Sequence, residues 1–314
     1  MRIAIFGTGA VGGYFGGRLA ETGEDVVFIA RGEHLQAISQ HGLKVDSIKG
    51  DFVLEKVQVT DDPNNVGVVD AILVGVKAWQ ISEAAKAMLP MVGPKTFVIP
   101  LQNGVEAPSQ LAAVLGDEHV LGGLCGLISY FIEPGHIRHA GADPFVRFGE
   151  LDNRSSERAE ELRKAFDRAI GVTAEIPSDI QAALWQKFMF VTAWSGLGAV
   201  TRSPVGIFRS LPETRQLLIQ IMEEIFNVAQ ARNIILPKDA IDTTVKFFDG
   251  LPPEGTASMQ RDIINGLPSE LDVQNGAVVR LGQEVGIDTP INSFIYNSLL
   301  PMEKRARGQI QFNV

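Results

Sequence analysis

A single cysteine, Cys125, stands among 314 residues, so no internal disulfide can form and burial alone must hold the fold. Its apolar setting, GGLCGLIS, reads as a core thiol rather than a nucleophile. Long hydrophobic runs are also lacking. The most apolar stretch, FMFVTAWSGLGAV from Phe188 to Val200, falls short of the roughly 20 residues that cross a bilayer, so no membrane partner is expected. Met1 leads straight into the strand-like RIAIF, with no basic segment and apolar core of a secretory leader before it, and a cytoplasmic protein is expected. Basic residues are in deficit, 28 Lys and Arg against 37 Asp and Glu. The formal charge of −9 argues against nucleic acid, whose phosphates are bound by a basic surface that releases counterions. Histidines number five, and His136 and His139, three apart in an extended segment, point to opposite faces, so no metal site is expected.

What the chain does have is glycine, 32 residues of it, and the first cluster is ordered. The apolar run IAIF ends at Gly7, the helix-like AVGGYFGGRLAETG follows, and DVVFIA reads as a second strand. Gly7, Gly9 and Gly12 fall in GxGxxG spacing at the first turn. There the first glycine permits a tight turn, the second lets a pyrophosphate approach the backbone, and the third packs helix on strand. The stretch Gly7, Thr8, Gly9, Ala10, Val11, Gly12 is therefore the candidate dinucleotide cradle.

An NAD-binding fold places an acidic residue at the end of the second strand, for the ribose hydroxyls. Here Arg31 follows instead, and a guanidinium suits a 2′-phosphate through paired charge-assisted bonds. NADP is the expected cofactor, with nearby Glu33 the one residue that could reach the ribose instead. Alternating strand and helix patterns continue through DAILVGVK and TFVIPLQNG, whose carboxyl ends, at Lys77 and Asn103, lie where open α/β sheets bind ligands.

After residue 175 the pattern turns helical, which predicts an N-terminal Rossmann-type dinucleotide-binding domain over 1–175 and an all-α domain over 176–314. In the first helix Lys187 lies one turn from Leu184 and Val191, on an otherwise apolar or small face. Such a lysine either snorkels to solvent or acts as a desolvated general acid. Ser258 and Asp262 share a face of a later helix. Glu270 is expected to open the next one, with Ser269 and Asp272 patterned as a capping box.

Taken together, GTGAVGGYFGGRLA, VKAWQ, QNGVE, LWQKF and SMQRDIINGLPSELDVQNG resemble the 2-dehydropantoate 2-reductase (ketopantoate reductase) family over essentially the whole chain. The resemblance implies NADPH held by Gly7 to Gly12, Arg31 and Lys77, with the backbone near Phe131 beside it. It further implies Asn103 touching cofactor and substrate, Lys187 as proton donor, Ser258 as a substrate hydrogen-bonding serine, and Glu270 beside the nicotinamide ribose. The family's best-known members carry asparagines where this chain has Val191, Ser195 and Val205, so this substrate pocket has fewer amides. Arg202, near the end of the Lys187 helix, is the candidate clasp for a substrate carboxylate.

The expected chemistry is hydride transfer to a small 2-oxo acid with proton donation by Lys187, and 2-dehydropantoate is the leading substrate. The alternatives are another hydroxy-acid dehydrogenase of the same two-domain plan and a non-catalytic NADPH sensor. Homodimer formation is left open.

Overall fold

The computed structural model describes residues 1–312. In chain order the elements are β1 (Arg2–Phe6), α1 (Ala10–Glu21), β2 (Asp25–Ile29), α2 (Gly32–His41), β3 (Leu43–Ser47), β4 (Phe52–Leu54), β5 (Gln58–Thr60), β6 (Ala71–Val74), α3 (Ile81–Met88), β7 (Phe97–Pro100) and α4 (Ala107–Leu115). Then come β8 (Leu121–Gly126), β9 (Ser129–Glu133), β10 (His136–His139), β11 (Phe145–Glu150), α5 (Glu157–Asp167) and β12 (Thr173–Glu175). Helices alone follow: α6 (Ile180–Thr201), α7 (Val205–Phe208), α8 (Pro212–Ala231), α9 (Ala240–Gly250), α10 (Ser258–Ile264), α11 (Asn275–Val285) and α12 (Pro290–Ala306). The chain forms two compact units, one of residues 1–102 with 107–180, the other of residues 103–106 with residue 181 onward.

In the first unit five parallel strands run in the order β5-β2-β1-β6-β7. The central strands are buried almost throughout, as a parallel sheet covered on both faces requires. Ile3, Ile5 and Phe28 pack with Phe15 and Leu19 of α1 on one face. On the other, Ala4, Phe6 and Val74 meet Ile81, Ala85 and Met88 of α3 and Leu111 of α4. Strand order reverses beside β1, the place where such sheets bind dinucleotides. The Rossmann-type fold with a helical C-terminal part, read from sequence periodicity, is thus the fold observed.

Two further sheets, β4-β3-β10-β9 and β12-β11-β8, belong to the same unit and were not expected from sequence. They explain the glycines of α1. A Cβ on Gly16 would lie 2.4 Å from Ile5 of the main sheet, whereas on Gly13 it would meet Ile137 of β10 at 2.3 Å, and on Gly17 Phe52 of β4 at 2.7 Å. The helix is thus pressed between two sheets, and close packing offsets the roughly 1 kcal/mol of helix propensity each glycine gives up. Cys125 lies in the core with its thiol 3.4 Å from the Leu101 carbonyl.

The second unit packs its helices around Phe188, Met189, Leu197, Leu218, Ile225, Phe248, Met259 and Leu281. Within α6 most positions are buried; apart from Gln181, Val200 and Thr201 near its ends, the partly exposed ones, Ala183, Gln186, Lys187, Phe190, Val191 and Trp194, recur at three- and four-residue steps. They make one stripe along the middle of the helix. Among the described residues no helix is long and apolar enough to cross a membrane, and no group of three His, Cys, Asp or Glu side chains could hold a metal ion.

Candidate active site

The turn after β1 is built by its glycines. Gly7 takes φ +97°, and a Cβ there would lie 2.6 Å from the Val76 nitrogen, just beyond β6. A Cβ on Gly12 would come within 2.2 Å of the Gly7 carbonyl. Thr8 fastens the turn to the end of β2, because its N–H and its hydroxyl both donate to the Ile29 carbonyl at 3.0 Å. Its hydroxyl proton is thereby given to the protein.

Gly9 is different, since an added Cβ would meet only the Gly75 carbonyl at 3.6 Å, an ordinary contact. No protein neighbour demands glycine there, so the backbone at Gly9 is left open to close approach by a ligand. Gly9 is also the N-cap of α1, with no side-chain cap and no acidic residue in the first turn. The first N–H groups of α1, at Ala10, Val11 and Gly12, therefore face outward as an anion seat. The residues present fit a dinucleotide pyrophosphate. Gly12→Ala is expected to cost about 1–3 kcal/mol by overpacking and to abolish tight cofactor binding. A thermal midpoint and cofactor affinity equal to the parent protein would show that the turn tolerates the methyl group.

Two cations flank this turn, on the loops after the strands to either side of β1. Arg31 is exposed at the N-cap of α2, and among the described residues its guanidinium has no hydrogen-bond or ion-pair partner. Lys77 is exposed too, its ammonium 5.8 Å from the centre of the Trp79 ring. Glu33 lies in the first turn of α2. Phe131, on β9, packs its half-exposed ring 4.8 Å from that of His34, three residues after Arg31. Burial lowers the pKa of His34, whose Nδ1 accepts the Gly135 N–H at 2.9 Å, so the ring is the neutral form at pH 7.

In the second unit, Asn103 and Glu270 come together although 167 residues apart: the Asn103 amide donates to Glu270 Oε2 at 2.9 Å. Gln274, absent from the sequence expectations, donates to the same oxygen at 3.1 Å. The loop of Asn103 is fixed further on. Gly104 takes φ +98° where a Cβ would lie 3.0 Å from the Val273 carbonyl, and Arg280 joins Glu106 at 2.8 Å to Asp272 at 3.0 Å. Glu270 does not open a helix. It lies in turns before α11, which begins at Asn275, and the Ser269 hydroxyl donates to Glu303 instead of forming a capping box with Asp272.

Lys187 sits on the half-exposed stripe of α6, and among the described residues its ammonium has no hydrogen-bond or ion-pair partner. Val191 is one turn on, along the same stripe. Ser195 is not on it: the residue is 1% exposed and its hydroxyl is buried without a partner among the described residues. Val205 is fully buried in α7, with its N–H given to the Gly255 carbonyl. Ser258 is exposed as the first residue of α10.

Arg202 requires a correction. It lies just past the end of α6, exposed, at φ +54°, the left-handed conformation that ends helices. Fourteen residues of helix at about 1.5 Å each follow Lys187 before the helix ends, which sets the two backbones roughly 21 Å apart, more than a small oxo acid can span. Arg202 is a helix-terminal cation favoured by the dipole rather than the carboxylate clasp of the Lys187 centre.

The chain thus joins a glycine turn at a strand-order reversal to helices that carry a lysine without a partner among the described residues and a carboxylate held by an asparagine. Residues 3–153 match the family described as ketopantoate reductase PanE/ApbA, and residues 179–303 match its C-terminal domain. A 2-dehydropantoate 2-reductase from Nostoc sp. is 30% identical over 98% of each chain. The chain belongs to the ketopantoate reductase family. It is accordingly an oxidoreductase acting on CH–OH groups, in a family that uses NADPH. Among solved structures, a 2-dehydropantoate 2-reductase from Geobacter metallireducens superposes with a TM-score of 0.87 at 32% identity, covering 98% of this chain and 100% of that one. A PanE/ApbA family ketopantoate reductase from Ralstonia eutropha gives 0.87 at 31% identity over the same shares.

Proposed function

We propose that this ketopantoate reductase homologue reduces a 2-oxo acid, 2-dehydropantoate foremost, to the 2-hydroxy acid with NADPH, and that Lys187 is the proton donor. The observation that carries the reading is the Lys187 ammonium, unpaired among the described residues and set on the half-open stripe along the middle of α6. NADPH, when bound, supplies the hydride that forms the new C–H bond at C2.

The chain's own residues do the rest. Gly9 and the α1 N-terminus seat the pyrophosphate, and Arg31 pairs with the 2′-phosphate, flanked by Lys77. Lys187 transfers one proton to the carbonyl oxygen as negative charge builds there, so that the alkoxide never accumulates. Glu270, anchored through Oε2, keeps Oε1 available to the lysine or to a ribose hydroxyl. With Arg202 set aside, Asn103 and Ser258 remain as the polar groups for the substrate.

A panel of 2-oxo acids, scored by oxidation of NADPH, tests the reading. 2-Dehydropantoate is expected to give the highest kcat/KM. A different 2-oxo acid at the top would favour another hydroxy-acid dehydrogenase, in keeping with Val191 and Ser195 where the family's well-known members have asparagines. NADPH binding with no turnover on any member would leave a sensor.

A further inference from the structure

Gln274 is 0% exposed, yet its side-chain oxygen is buried without a protein partner among the described residues. Leaving an acceptor in that state is destabilising, and a methionine or leucine of similar size would avoid the cost. The amide is therefore kept for its other end, the N–H that reaches Glu270 Oε2 at 3.1 Å. The orientation of the amide is dictated by chemistry: a carboxylate accepts only, so the NH₂ group must face it.

Asn103 donates to that same oxygen at 2.9 Å, and no third donor reaches the Glu270 carboxylate among the described residues. The charged groups around it are engaged elsewhere. Arg280 holds Glu106 and Asp272, while Glu303 takes the Ser269 N–H and hydroxyl and the Arg307 guanidinium. Both donors on one oxygen leave Oε1 free. In the proposed reaction, on which this inference rests, the Asn103 amide must also serve cofactor and substrate, and it cannot give its N–H groups to everything at once.

We propose that Gln274 is a positioning residue that fixes Glu270 for the reaction, holding Oε2 in place when the Asn103 amide turns to the bound ligands. It touches neither substrate nor cofactor and acts through Glu270 alone. The i to i+4 spacing suits this role, because the turns before α11 bring residue 274 back over residue 270, with the Gln274 N–H bonded to the Glu270 carbonyl at 3.0 Å.

The test compares the wild type with Gln274→Met, which keeps length and loses the donor, and Gln274→Glu, which keeps shape and sets a second carboxylate against the first. Gln274→Met is expected to lower kcat about 10- to 100-fold, as a small misplacement of a reacting group does, with KM for both substrates within about threefold. Gln274→Glu should lose more. Thermal stability should stay level or rise in the methionine variant, because the orphaned carbonyl is gone, whereas a merely structural glutamine would give a lower midpoint and an unchanged kcat. In a Glu270→Ala background Gln274→Met should bring no further loss. A crystal structure of Gln274→Met is expected to show the Glu270 carboxylate displaced from its wild-type position.

Normal kcat with Glu270 in place overturns the proposal, and so does an undiminished effect in the Glu270→Ala background. If the wild type turns over no 2-oxo acid, the functional reading fails. The crystal structure then still decides whether Gln274 holds the carboxylate.

Discussion

Lys187→Ala is expected to lower kcat about 10²- to 10⁴-fold with the best 2-oxo acid, while the dissociation constant for NADPH changes little. A proton donor acts where charge develops on the carbonyl oxygen, so its removal is felt in the transition state and hardly in cofactor binding. The environment makes the variant informative. Lys187 sits on the half-exposed stripe of α6, so truncating it leaves no buried partner unpaired and should not unfold the helix. Turnover within a few-fold of the wild type would make Lys187 a snorkelling side chain, its stem packed on Leu184 and Val191. A fall in kcat together with a lower thermal midpoint would not distinguish the roles, so the midpoint is measured alongside. Lys187→Arg sharpens the assay: it keeps the charge, but a guanidinium does not give up its proton, so kcat should stay low.

The fold was legible wherever the signal is local. The β1-α1-β2 unit shows in an apolar run, three spaced glycines and a second run, all within 30 residues. The two small sheets were not, because the pairings that join their pieces are distant: β3–β4 and β9–β10 pair locally, but Lys44 of β3 lies beside His136 of β10, 92 residues on, and no periodicity announces that partner. Such sheets are chosen by tertiary packing against Gly13 and Gly17, whose bare surfaces announce close packing without naming the partner.

The candidate site divides in the same way. Glu270 was singled out, but its setting was misread. SELD reads as a capping box, whereas the Ser269 hydroxyl is drawn off by Glu303 of α12, a partner 34 residues away. Gln274 passed as one polar position in a helical run, and only its burial and its bond to Glu270 mark it. The sequence places Arg202 near the end of the Lys187 helix, as found, but a place near the helix end does not bring it near Lys187. Gly196 and Gly198 do not interrupt α6, because the Asn275 and Gln260 side chains fill the space a Cβ would need, at 2.7 and 2.6 Å, and so Arg202 is carried well away from Lys187.

Cofactor choice rests on Arg31, and the expected result is selective. Arg31→Ala should weaken NADPH by about 1.5–3 kcal/mol, roughly one to two powers of ten in the dissociation constant, and leave NADH almost untouched. The difference follows from where the charge sits. The guanidinium is exposed at the end of β2 with no partner among the described residues, so it pays no carboxylate to be released before it meets a 2′-phosphate. NADH offers it only ribose hydroxyls, to which Glu33 in the first turn of α2 is the better acceptor. Lys77 carries a second positive charge on the other side of the glycine turn, and because that charge is solvated it should contribute less and in a more salt-sensitive way. Calorimetric titration of both cofactors into wild type, Arg31→Ala and Lys77→Ala, each at low and high salt, separates these contributions. Equal losses for NADPH and NADH in Arg31→Ala would place the arginine on the pyrophosphate, which both cofactors share, and leave the 2′-phosphate to Lys77.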